Sequence, residues 1–264
     1  MKKITEKFFI TITIIASMLL FSCNDKSKTN EKIVLEVAST QVKFMATGIG
    51  NMTIDWGDDS TPELFTLTNI KSGYQHQYQN DNKHIIEITG HIVYFYAGRF
   101  EIDGSYTSNQ IKLLNASNSF ALKQLDCSEN IITQLDVSKC TALMDLDCWD
   151  NQLTTLNVAD CKALVNLRCQ KNQLINVDFI NNEALTILSC SDNTITNLDM
   201  SSNTKLKELY VQKNNLSHIA INNLFETLHD KDIAGGKFIS ISDNMGSPYC
   251  DTNIAVKKGW KVYR

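Results

Sequence analysis

Five consecutive blocks of this chain repeat one 21-residue unit, almost without a gap. The first, from Ala121, reads ALKQLDCSENIITQLDVSKCT. The others begin at Ala142, Ala163, Ala184 and Lys205. A fixed period of this length dictates the architecture. One unit is one coil, which cannot bury its apolar face alone, and stacking the coils makes a continuous core. The product is a solenoid, with a long open surface rather than a closed pocket.

Inside the unit the recurring pattern is L-x-x-L-x-C-x-x-N-x-[IL]-x-x-[LIV]-x-[VFMI]. In the first copy these positions are Leu122, Leu125, Cys127, Asn130, Ile132, Leu135 and Val137. The pattern holds two alternating stretches, 124–128 and 134–138, and alternation predicts strand. Leu125 and Cys127 then point inward, and Gln124, Asp126 and Ser128 outward. Asn130, Asn151, Asn172, Asn193 and Asn214 recur in step. An amide carries both donors and an acceptor, so these side chains predict a structural ladder that pairs buried turn backbone from coil to coil.

These residues resemble bacterial leucine-rich repeats, most closely the 21-residue type with a nested half-period (IRREKO-like). Here Cys127, Cys148, Cys169 and Cys190 replace the customary leucine, and Val211 does so in the last unit. The resemblance implies a curved right-handed solenoid with the first strand on the concave face. Residues 90–120 fit a degenerate first repeat with an insertion at 100–108, since terminal repeats are atypical. The tail, with helical spacing at 223–230 and a K-G-W-x-V ending at Trp260, resembles the C-terminal cap that follows such repeats.

The N-terminus has a basic start, an apolar stretch over 8–21, then Ser22 and Cys23. That is a secretory signal, too short for a spanning helix. The segment Leu20-Phe21-Ser22-Cys23 resembles a bacterial lipoprotein lipobox. The resemblance implies cleavage before Cys23, lipidation there and membrane anchoring. Residues 33–90 alternate with no helical period, predicting a small β-sandwich. Thr53-Ile-Asp-Trp-Gly-Asp-Asp, then Gln75-His-Gln-Tyr78, resembles a PKD-type immunoglobulin-like domain, a spacer or adhesive module. The expected organisation is thus a signal over 1–22, lipidated Cys23 and tether over 23–32, a sandwich over 33–90, a solenoid over 91–225 and a cap over 226–264. The fold class is mainly β.

A formal net charge of −4 leaves no basic footprint for nucleic acid. Eight cysteines in an exported chain suggest disulfides. In-register ladder cysteines, however, run parallel with their Cβ atoms too far apart to bridge, which favours free buried thiols. A bridge between Cys140 and Cys161 stays open. The histidines show no metal-ligand spacing, and no metal or cofactor is expected. Calcium at Asp58/Asp59 or at the Asp126/Asp147 pair is the open alternative. Asp126 and Asp147 stack about 5 Å apart, near the carboxylate separation of retaining glycosidases. Nothing in the sequence encloses them, so no catalytic residue is assigned.

The outward positions carry a second signal. Trp149, Ile187 and Tyr210 are apolar or aromatic, with Arg168 and Asp147 between. Tyrosine, tryptophan and arginine carry most binding energy at interfaces. These five are the candidate partner-binding residues. The expected function is a non-catalytic binding or adhesion module of the bacterial cell envelope, at the outer membrane or cell surface, with an unidentified protein or glycan ligand. A hydrolase or accessory of a glycan-processing complex, and a structural spacer, are the alternatives.

Overall fold

The computed structural model describes residues 31–102 and 105–264. The signal, Cys23 and most of the tether lie outside them. The chain opens with β1 (Lys32–Val37), β2 (Gln41–Asp55), β3 (Glu63–Leu67), β4 (Ser72–Gln77) and β5 (His84–Tyr96). A hairpin of β6 (Phe100–Ile102) and β7 (Ser105–Thr107) precedes β8 (Ile111–Asn115). The hairpin occupies the insertion.

The coils follow. They comprise β9 (Gln124–Asp126), β10 (Gln134–Asp136), β11 (Asp145–Asp147), β12 (Asn166–Arg168), β13 (Ile187–Ser189) and β14 (Glu208–Tyr210). The chain ends with α1 (His218–Thr227), β15 (Lys237–Ser240), α2 (Asn253–Lys257) and β16 (Trp260–Tyr263).

The first-strand face runs β5-β9-β11-β12-β13-β14-β15-β16, every neighbour parallel. Leu125, Leu146, Leu167, Leu188 and Leu209 sit in one register and are buried, with the ladder cysteines beside them. Each such leucine contributes about 1.5–3 kcal/mol by leaving water. The stack runs past position 225: Phe238, Ile239 and Ser240 continue it, and Trp260–Tyr263 closes it. The sequence pattern fades there because a helix and longer connections separate the strands. The cap helix also starts earlier than its apolar spacing suggests, because Ser217 accepts the Ala220 N–H as its N-cap.

The sequence predicts a separate sandwich over 33–90; the structure instead builds these strands into the solenoid. β5 is shared. Its first half pairs with β1 and β2, while Tyr94–Tyr96 pairs in parallel with β9 as the first coil strand. β1 also pairs with β8. One apolar cluster runs from Ile33 to Trp260. Within it Trp56 is buried, donates to Glu63 at 2.8 Å and receives Tyr78 Oη on its carbonyl at 2.7 Å.

The second stretch of each coil departs from expectation too. Only β10 pairs there, with β8. In later coils Asn157, Asp178 and Asp199 accept the N–H two residues on, from Ala159, Ile180 and Ser201 at 2.8–3.1 Å. Asp136 makes the same turn to Ser138 N–H inside the paired β10, so the turns do not decide the pairing. In the later coils the alternation buries Leu156 and Val158 without making a strand.

Candidate functional site: the first-strand face and its asparagine turns

The turn that ends each first strand is built from two residues. Glu129, Asp150, Lys171, Asp192 and Lys213 all have φ between 52° and 55°. This region disfavours side chains. Each N–H compensates by donating to the next coil, as Asp150 does to Gln170 O at 2.9 Å. The asparagine that follows is saturated. Asn172 Nδ2 donates to Cys148 O at 3.0 Å, Cys169 O at 3.1 Å and Gln170 O at 3.3 Å, and Oδ1 accepts Leu153 N–H at 2.9 Å. Asn130, Asn151, Asn193 and Asn214 repeat the pattern. Asn244 extends the ladder into the cap, and Asn109 takes an analogous place at the front, donating to Ala97 O.

A further ladder escapes the sequence pattern because its residue type changes. Ser119, Cys140, Cys161, Asn182 and Asn203 share one position at 21-residue steps. Asn182 Nδ2 donates to Val158 O and Cys161 O, and Cys140 Sγ to Ala116 O. All seven cysteines among the described residues are free and buried, Cys140 and Cys161 included. Burial pushes the ladder thiols upward, Cys190 to about 12.

Asp126, Asp147 and Arg168 occupy one outward column. Arg168 donates to Asp147 at 3.0 and 3.4 Å, and its pKa is raised mainly by that hydrogen bond. Asp126 turns back to accept Ser128 N–H and Oγ. Burial raises its pKa, and the Asp147 and Glu129 carboxylates add to the rise. In the adjacent column Asp145 accepts Gln124 and Asn166. The polar end of the face is thus largely committed to itself. Asp58 is similarly engaged: it accepts Ser60 Oγ and pairs with His76 at 2.7 Å, and with the Ser60 hydrogen bond first these partners bring it down to about 2. Among the described residues no group of three or more His, Cys, Asp or Glu is placed to hold a metal.

Apolar groups gather at the other end. Tyr210 meets Phe238 edge to face at 5.2 Å, and Phe238 meets Tyr263 likewise at 5.7 Å. Ile187 stands in the Phe238 column, one strand beyond Glu208. Tyr210 donates to Glu208 at 3.1 Å, and burial raises its pKa. Trp149 stands apart, half-buried at the rim with Lys171 Nζ 5.9 Å from its ring centre. The structure therefore joins Tyr210 to Phe238 and Tyr263 and joins Asp147 to Arg168, sets Ile187 beyond Glu208 from that patch, and leaves Trp149 outside both. Phe238 and Tyr263 belong to the patch and lie beyond the repeat. Their only sequence signal is an aromatic next to a buried or half-buried apolar residue, Ile239 and Val262 respectively, in the tail.

No family model matches the chain, and no curated protein matches it. Solved structures do. The functional domain of InlJ from Listeria monocytogenes, which includes a cysteine ladder, is 27% identical over 60% of this chain and 33% of that one, with a TM-score of 0.47. A leucine-rich-repeat protein of Leptospira interrogans is 18% identical over 55% of this chain and 49% of that one, with a TM-score of 0.33. The chain spans a third to a half of those structures.

Proposed function

We propose that this chain is a non-catalytic binding module, displayed on a bacterial cell envelope, that holds a protein or glycan partner on its first-strand face. The observation that carries this reading is the Tyr210, Phe238 and Tyr263 patch, with Ile187 one strand beyond Glu208, an apolar surface whose members are absent from the buried core. Aromatic side chains bury large area at low entropic cost, and a partner would gain about 2 kcal/mol or more from each good anchor. The Asp147–Arg168 pair and Trp149 flank it and would set orientation.

The finer features belong to the same proposal. The signal and lipobox make Cys23 the lipidated anchor, with 24–30 as tether, since Glu31 and Lys32 already pair with the strands, and the outer membrane or cell surface as the site. No helix among the described residues is long and apolar enough to cross a membrane. The repeat type is the 21-residue nested kind, and the strands of 33–90, which retain the Trp56, His76 and Tyr78 resemblance to PKD-type modules, serve as spacer and front cap.

The test is an array of glycans and host matrix proteins probed with the wild-type chain and with Tyr210→Ala/Phe238→Ala. Ligands bound by the wild type should be lost by the variant at unchanged thermal stability. A variant that retains every ligand would place recognition elsewhere.

A further inference from the structure

The C-terminal end of the stack presents a different kind of surface. β16 has one strand neighbour among the described residues, β15. Ile241 N–H donates to Tyr263 O, so Lys261 and Tyr263 turn their backbone groups toward β15. By the alternation of a strand, Val262 turns its N–H and C=O outward, away from the sheet. An edge of this kind is a template for another strand.

Three further features surround this edge. A cleft of about 450 Å³ runs along it, lined by Thr252, Val256, Trp260, Lys261, Val262 and Arg264. Trp260 is buried beside it, and Val256 is 54% exposed on its wall. Residues 250–264 also carry four cations, Lys257, Lys258, Lys261 and Arg264, against one carboxylate, Asp251, in a chain of formal net charge −4. Asp251 is spent on the Asn253 N–H, and Lys258 is held by Glu226. Lys257, Lys261 and Arg264 are exposed, and Arg264 reaches Cys250 O with one nitrogen.

We propose that this edge is a docking site for an extended acidic peptide segment of a partner, which adds as a strand beside β16. The backbone of Val262 supplies the hydrogen bonds, the Val256–Trp260 cleft takes alternate apolar side chains, and Lys261, Arg264 and Lys257 hold the acidic ones. Strand addition of this type draws affinity from main-chain bonds and specificity from pockets for alternate residues. The site adjoins the Tyr210 patch, since Lys261 is registered with Phe238 and its Nζ lies 4.7 Å from the Tyr263 ring centre, but it uses the strand edge rather than the apolar face and stands whether or not that patch binds.

The experiment uses the whole chain and fluorescein-labelled heptapeptides read by polarisation. The probes are Glu-Val-Glu-Val-Glu-Val-Glu, the same peptide with its central valine N-methylated, and Lys-Val-Lys-Val-Lys-Val-Lys. The acidic peptide should saturate, the N-methylated one should bind at least tenfold more weakly, and the basic one should not bind. Lys261→Glu/Arg264→Glu, exposed and outside the core, should lose the acidic peptide and gain the basic one. Equal binding of acidic and N-methylated peptides would remove the strand-addition claim. Binding unchanged in the charge-reversed variant would place the site elsewhere. Sedimentation showing a dimer that the acidic peptide does not displace would give the edge to a second copy and overturn the proposal.

Discussion

Asn172→Ala removes one rung of the ladder, and the structure sets the cost. Leu153 N–H has Asn172 Oδ1 as its acceptor and lies buried, so it is left without a partner. An unpaired buried amide costs about 1–3 kcal/mol. The carbonyls suffer less. Cys148 O keeps Asn151 Nδ2 at 3.2 Å, and Cys169 O keeps Asn193 Nδ2 at 3.1 Å. Each loses one of two donors, worth about 0.5–1 kcal/mol net. The sum is about 3 kcal/mol, to be read as the shift in unfolding free energy from urea titration. Asn172→Asp sharpens the test. It keeps the acceptor toward Leu153 but aims a carboxylate oxygen at three carbonyls, so its folded pKa must rise. A raised carboxyl pKa means that stability is retained at low pH and lost as pH rises through the unfolded value toward the folded one. Asn172→Asp should therefore be less stable than Asn172→Ala at pH 7 and recover toward pH 4. A loss below about 1 kcal/mol for alanine, or a pH-independent aspartate, would refute the ladder account.

Other consequences can be measured separately. Asp150→Gly should be neutral or stabilising by up to about 1 kcal/mol in urea melts, and Asp150→Val destabilising by at least as much, because only glycine takes this φ without strain. Cys127, Cys148, Cys169 and Cys190 should resist an alkylating reagent until the chain is unfolded; modification of native protein seen by mass spectrometry would contradict their burial. Glu31, whose pKa is raised chiefly by burial despite His91 nearby, disfavours folding as pH rises through its unfolded pKa toward its folded one. Glu31→Gln should thus stabilise the chain more at pH 7 than at pH 4, and the reverse order would show that the His91 pairing dominates.

The parts of the molecule readable in the sequence are those where one residue type answers one geometric need in every coil. Leu125, Leu146 and Leu167 must fill the same inner volume, and Asn151 must satisfy the same turn, so identity and period appear together. The position shared by Cys140, Cys161 and Asn182 has a looser need, a small buried donor, and two residue types meet it, while Ser119 at its head is buried without a partner for its hydroxyl, so no pattern shows. The second stretch alternates like a strand in every coil but pairs only at β10, and alternation does not reveal this, since Asp136, Asp178 and Asp199 all make the same side-chain turn. Of the binding patch, Tyr210 and Ile187 could be read because the repeat fixes which way they point. Phe238 and Tyr263 could not, since their strands join the stack through α1 and α2, outside any period. Pairing was equally hidden: that Arg168 turns to Asp147 follows from their register, but how Asp126 turns inward to Ser128 depends on side-chain geometry.

The central claim is that recognition belongs to the first-strand face at its aromatic end. Hydrogen–deuterium exchange with the partner returned by array screening tests it most directly. The account predicts slowed exchange confined to the amides of β13, β14, β15 and β16 and the residues flanking them. Protection confined instead to the second-stretch side, at 155–157, 176–178 and 197–199, or to β2–β4, would contradict it.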